Sequence, residues 1–166
     1  MRILGLDIAS QNTGWAVLDF PGNGPPSVKE LGLIHHPKHW KIGRKLFDFY
    51  EELSSVIHKS QADHVVIEAP FIFRMTAVKA LYKFHGVARL VVWEIKNTDL
   101  TEIPVSKIRS ILGVAQKAKK GTSQKTAVRK LVNEKFGLSI SETEEDISDA
   151  IAAAWAGFQF VKKAKK

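Results

Sequence analysis

Met1-Arg2-Ile3-Leu4-Gly5-Leu6-Asp7-Ile8-Ala9-Ser10-Gln11-Asn12-Thr13-Gly14-Trp15-Ala16-Val17-Leu18-Asp19 opens the chain and frames everything after it. Residues 3–8 read as a short strand, apolar enough to be buried on both faces. A polar turn at 10–14 follows, and 15–17 return as the antiparallel partner. Asp7 is out of place in such a strand, because a buried carboxylate costs several kcal/mol unless something compensates it. Two compensations are open. Backbone amides of the turn at 10–13 can donate hydrogen bonds to it, or Asp7 can anchor a divalent metal ion at the centre of a sheet. These nineteen residues weigh the two about equally.

The whole chain is 166 residues long, most simply one domain over 1–161 with a basic tail at 162–166. No apolar run approaches the roughly 20 residues of a membrane span. The first residues lack a secretory pattern, since Asp7 interrupts an already short apolar stretch. Without cysteine, disulfides and thiolate zinc sites are excluded, and a cytoplasmic protein is expected. The net charge of +8 and a pI near 9.7 suggest a polyanionic partner.

Downstream, Pro21, Gly22, Gly24, Pro25 and Pro26 mark a turn, and 28–35 read as a third strand closing an antiparallel meander. Ile42, Leu46, Phe49, Leu53, Val56 and Ile57 recur at helical spacing between 40 and 58. Val65-Val66-Ile67 is a β-branched fourth strand with Glu68 at its end. Pro70 turns the following stretch into an apolar loop, and Thr76 can cap a long helix to about 96. A fifth strand is expected at 101–105, then a short helix through Ile108 and Leu112. A glycine- and lysine-containing loop at 113–123 leads to a basic helix over 124–136, stopped by Gly137. A last helix is expected over 142–161. Three strands in a meander followed by βα units imply an α/β protein: a mixed five-stranded sheet, antiparallel then parallel, with helices on both faces.

Glu68 repeats the context of Asp7, a carboxylate where a buried strand opens into a crevice, which in α/β sheets is where ligands bind. Alone it reads as a residue that ends a strand. Asp146 and Asp149 stand at i and i+3 on one face of the last helix, just before the small apolar run Ala150-Ile151-Ala152-Ala153-Ala154. Glu142, Glu144 and Glu145 merely complement the helix dipole, but Asp149 lies beyond the first turn and is expected to face the sheet. Four such carboxylates would repel one another unless they share cations. Oxygen ligands suit Mg²⁺ or Mn²⁺, and two ions about 4 Å apart would clamp a scissile phosphate. The chemistry expected is phosphodiester hydrolysis.

Asp7 with Ser10, Thr13 and Gly14, Glu68 with Phe71, and Asp146-Ile147-Ser148-Asp149-Ala150 together resemble the RuvC family of Holliday-junction resolvases, of the RNase H-like superfamily. The resemblance spans nearly the whole chain. It implies a single RNase H-like nuclease domain whose catalytic and metal-binding acids are Asp7, Glu68, Asp146 and Asp149. It implies a metal-dependent endonuclease that resolves four-way junctions by paired symmetric cuts. It places the base-contacting aromatic on Phe71 and basic positions on Lys107 or Arg109 and on Lys125. Where the family has Pro-Gly after its first aspartate this chain has Ile8-Ala9, and Ala69 replaces the usual glutamine after Glu68. Those departures point to a divergent, phage-type member working in a bacterial or phage-infected cell.

Lys107, Arg109, Lys117, Lys119, Lys120, Lys125, Arg129, Lys130 and Lys135 face a single acid, Glu134, between 107 and 135. A run this one-sided reads as a phosphate-tracking surface for branched DNA. Phe71 beside Pro70 is the candidate to wedge at a distorted base step, whereas Phe73 reads as core. His35, His36 and His39 read as strand-end and loop residues and His85 as a packed one. A homodimer is expected, because a two-fold junction calls for two matched sites, with the helix at 76–96 as interface. The alternatives are an RNA–DNA hybrid or flap nuclease on the same fold, and an inert branched-DNA-binding module. A sugar-kinase-like ATPase would need two such domains.

Overall fold

The protein is described from a computed structural model covering residues 1–70, 75–114 and 123–164, with the backbone alone at 75–78 and 163–164. Strands β1 (Arg2–Ile8), β2 (Asn12–Asp19), β3 (Ser27–His35), β4 (His64–Glu68) and β5 (Thr101–Ile103) form one sheet in the order β3-β2-β1-β4-β5. The first three pair antiparallel, and β4 and β5 continue parallel to β1. Helices α1 (Ile42–Ser60) and α2 (Met75–Lys96) cover one face. Helices α3 (Val105–Leu112), α4 (Gln124–Phe136) and α5 (Glu145–Ala164) cover the other. The mixed, doubly covered sheet expected from the sequence is what forms.

Alternation along β1 sorts the two cores. Leu4, Leu6 and Ile8 pack with Phe49, Leu53, Phe84 and Val91 beneath α1 and α2. Ile3 points the other way, with Val66 of β4, to Ala150, Ile151 and Ala154 of α5. Gly5 and Gly14 make that second layer unusually thin. A Cβ at Gly5 would collide with the carbonyl oxygen of Ala150, and one at Gly14 with that of Asp146. The α5 backbone therefore rests directly on β1 and β2, with Asp146 above the end of the hairpin.

Some boundaries differ from expectation, each for a local reason. Strand β2 begins at Asn12, because Thr13 and Gly14 pair with both β1 and β3 and Asn12 pairs with His35 of β3, leaving a shorter turn. Strand β5 stops at Ile103, since Pro104 has no N–H to donate and instead precedes α3 as its N-cap. The last helix is preceded by a 3-10 turn at Glu142–Glu144 with a Ser141–Glu144 capping box, and it runs past 161 to Ala164, so the basic tail begins as helix. Among the described residues no helix is long and apolar enough to cross a membrane.

Candidate active site

Asp7 and Glu68 occupy the C-terminal ends of neighbouring parallel strands, one residue beyond the paired Leu6 and Ile67. Each stands two residues past a position packed against α5, Gly5 on β1 and Val66 on β4, so both side chains face α5. From above, α5 contributes Asp146 and Asp149 on successive turns of one face. The Asp7 side chain is partly buried. Among the described residues no amide of the turn at 10–13 donates a hydrogen bond to it; Thr13 Oγ1 turns instead to the Ala9 carbonyl at 3.4 Å.

Electrostatics join the four acids into one cluster. Burial, and then Asp149 and Glu68, hold the Asp7 pKa well above the ordinary aspartate value, against an opposing pull from Lys125. Burial and Asp149 push Glu68 up to about 7 despite Arg109 and Lys125. Burial likewise raises Asp146 and Asp149, against Lys125 in both cases. A cluster of carboxylates desolvated together and repelling one another is a site short of positive charge.

Part of that charge comes from α4. Its N-terminus is set by Ser123, whose Oγ accepts a hydrogen bond from the Thr126 amide at 3.1 Å. That cap fixes the first turn so that Lys125 Nζ reaches Asp149 Oδ2 at 3.2 Å, where Asp149 is only 12% exposed. Burial alone would lower the Lys125 pKa, but Asp149 and then Asp7 more than reverse it, so the ammonium is firmly charged. Of the two alternatives on α3, Lys107 is exposed to solvent, while Arg109 lies close enough to Glu68 and Asp149 to stabilise their charged forms. Arg109 Nη1 donates to Gln124 Oε1, a link between α3 and α4 that nothing in the sequence pattern announced.

Arg129 requires a correction. It points inward from α4, its side chain 9% exposed, and Nη2 donates to Glu142 Oε1 at 2.7 Å. It ties α4 to the 3-10 turn ahead of α5 and offers no guanidinium to a phosphate. Lys130, one residue on, is exposed. Phe71, Phe73, Lys117, Lys119 and Lys120 lie outside the described residues. His85 is buried, as a packed residue would be, and so is His36, which follows the end of β3 but turns into the core rather than into a loop surface.

The donor set is one of hard oxygens, the chemistry that divalent ions such as Mg²⁺ and Mn²⁺ prefer. Among the described residues no three side chains are already gathered into a finished ligand set, and the Lys125 ammonium stands in as counter-ion. The fit is therefore one of charge and donor type.

A mixed sheet in this order, covered on both faces, with acids at the ends of its central strands, is an RNase H-like fold. Across residues 3–156 the sequence matches the model of a family described as crossover junction endodeoxyribonuclease RuvC, and the chain belongs to that family. It is 27% identical over 158 residues to the RuvC crossover junction endodeoxyribonuclease of Gloeobacter violaceus, covering 95% of this chain and 88% of that one. To the protein of the same description from Helicobacter hepaticus it is 31% identical over 169 residues, covering 98% and 85%. Thermus thermophilus RuvC, solved in complex with a Holliday junction substrate, superposes with a TM-score of 0.81 at 13% identity, covering 98% and 96%, a likeness of fold.

Proposed function

We propose that this protein is a structure-selective endonuclease that resolves four-way DNA junctions by paired, symmetric, metal-dependent hydrolysis of phosphodiesters. The observation that carries this reading is the convergence of Asp7, Glu68, Asp146 and Asp149, all with raised proton affinity, at one end of the sheet. Family membership supplies the substrate class. Mg²⁺ or Mn²⁺, two ions per site, would be held by these four carboxylates and would supply an activated water and charge stabilisation at the leaving oxygen. The chain's own residues do the rest. The carboxylates keep the crevice electronegative until a cation enters. Lys125 and Arg109 border them with charge of the sign a scissile phosphate needs. Lys107 and Lys130 lie outward along α3 and α4, where DNA phosphates would be tracked, with Lys117, Lys119 and Lys120 between those helices in the sequence. Phe71, three residues past Glu68, would meet bases at the point of cutting.

Two matched cuts call for two sites, and a homodimer provides them. The outer side of α2 suits that role. Tyr82, Leu90 and Trp93 are exposed there, and Gly86, Arg89, Leu90, Trp93 and Asp99 line a shallow hollow of about 360 Å³. Such an enzyme works in the cytoplasm, where the DNA of a bacterial or phage-infected cell lies.

The test is cleavage of an end-labelled mobile four-way junction with Mg²⁺, beside linear duplex and RNA–DNA hybrid, using wild type and Asp7→Asn. The expected result is symmetric paired nicks in the junction alone, reduced at least about 10³-fold in Asp7→Asn while junction binding persists. Cleavage of hybrid instead would reassign the substrate. Tight junction binding with no cleavage under Mg²⁺ or Mn²⁺ would leave a binding module and overturn the enzyme.

A further inference from the structure

Sequence and structure hold a second basic surface, on the side of the sheet away from α4. From Leu31 to Phe47 there is no Asp or Glu, yet the stretch contains Lys38, Lys41, Arg44 and Lys45, with Trp40 among them. Lys45 is buried in the fold, whereas Lys38, Lys41 and Arg44 are exposed. Topology brings these three to the catalytic end. Asp7 is in register with Gly14, and Gly14 with Leu33, so the β3 backbone at Leu33 lies two strands, about 10 Å, from that of Asp7. One residue beyond the end of that pairing at His35, His36 N donates to the Gln11 carbonyl at 2.8 Å and ties the loop to the β1–β2 turn. The Trp40 amide then donates to the Pro37 carbonyl at 3.1 Å, and α1 begins.

Three features set this patch apart from an ordinary solvated face. Among the described residues none of Lys38, Lys41 and Arg44 has an ion-pair partner. Lys41 is the N-cap of α1 and Arg44 lies in its first turn, a turn that holds no acid. Cations there oppose the helix dipole, an arrangement that costs stability by itself and is relieved by an external anion. Finally, the Arg44 guanidinium lies 4.1 Å from the Trp40 ring centroid, a cation–π contact that favours one position of its charge.

We infer that Lys38, Lys41 and Arg44, with Trp40 as their support, form a DNA-backbone site that grips a duplex arm of the substrate on the α1 side of the acidic crevice. The inference rests on the nuclease reading above. Together with Lys125 and Arg109 it places positive charge on both sides of the four acids, so that DNA crossing the strand ends is held on either side of the cut. Nucleic acid fits better than a folded protein partner, because Lys38, Lys41 and Arg44 are three exposed phosphate-binding groups without ion-pair partners among the described residues, placed at the same end of the sheet as the acidic crevice.

The experiment compares junction affinity across a range of salt for three proteins. These are wild type, the triple variant Lys38→Gln/Lys41→Gln/Arg44→Gln, and a control triple, Arg2→Gln/Lys29→Gln/Lys59→Gln, whose charges lie at the opposite end of the sheet. The patch triple should lose about 2 to 3 units of the slope of log affinity against log salt, and about tenfold or more in affinity near 0.1 M salt. The control should keep the wild-type slope. Thermal unfolding of both triples, expected to match wild type, separates lost contact from lost fold. Equal behaviour of the two triples, with junction cutting by wild type intact, overturns the inference alone. A wild type that neither cuts nor prefers junctions overturns the nuclease reading, and a slope loss confined to the patch triple on plain duplex would still establish the surface.

Discussion

The two faces of the sheet are built on opposite principles. On the α1–α2 side the layer is thick and filled with large side chains. Phe49 and Phe84 meet edge to face with centroids 5.2 Å apart, and His36 packs against both rings. On the α5 side the layer is thin, made of Gly5, Gly14, Ala150, Ala153 and Ala154, so that helix and sheet touch backbone to backbone. Large side chains bury more apolar area per residue, so single truncations there cost the most stability. Thin packing fixes position, because a helix lying on bare strands has no side-chain layer in which to slide. The acids sit on the thin side, and Asp146 and Asp149 are placed to within an atom or two by residues that have almost no side chain.

Substitutions can pull stability and placement apart. Phe49→Ala, in the thick layer and fully buried, should lower unfolding free energy by about 3–5 kcal/mol through lost burial and a residual cavity. Junction cleavage per folded molecule should stay close to wild type, as checked by denaturant melts beside single-turnover cutting of the fraction that remains folded. Gly14→Ala should cost less stability, about 1–3 kcal/mol, because one methyl must be accommodated by lifting the start of α5. Its cleavage rate should fall further than Phe49→Ala's despite the milder melt, because the displaced group is the peptide that bears Asp146. Equal rate losses in the two variants would show that α5 placement does not depend on the glycines.

Legibility in the sequence follows the same division. Strands, helices and the four acids were readable because they rest on local signals: β-branched runs, 3.6-residue periodicity, and carboxylates where a buried strand should have none. The helix over 124–136 was bounded correctly because Ser123 and Gly137 are strong caps. Less readable was everything set by distant partners. Arg129 belongs to a basic run and has the spacing of an exposed residue, but Glu142 draws it inward. Gln124 carries no motif, and its role depends on Arg109 arriving from another helix. The Lys38–Arg44 stretch carries no motif, and only the β2–β3 register shows that it lies at the catalytic end.

The smallest effect expected is on pH dependence, and it has opposite sign on the two faces. Glu68, raised to about 7 in the fold, binds a proton there more tightly than in the unfolded chain, where its pKa is near 4.5. The folded state therefore holds the extra proton between those values, and metal-free stability should decline as pH rises from about 4.5 to 7. On the other face His36 has no exposed side-chain surface and no hydrogen bond to either ring nitrogen, although Asp48 Oδ2 lies 3.4 Å away. Burial outweighs that carboxylate and lowers its pKa, so below about 6.5 the unfolded state takes up the proton and stability is lost as pH falls. Glu68→Gln should flatten the decline toward neutral pH, and so should Mg²⁺, which would bind the ionised carboxylates. His36→Leu should flatten the acid decline and leave the response to Mg²⁺ intact. Thermal melts across pH 5 to 8, with and without Mg²⁺, resolve the two limbs. If Mg²⁺ stabilised the protein equally at pH 5 and pH 8, the carboxylate cluster would not be where it binds.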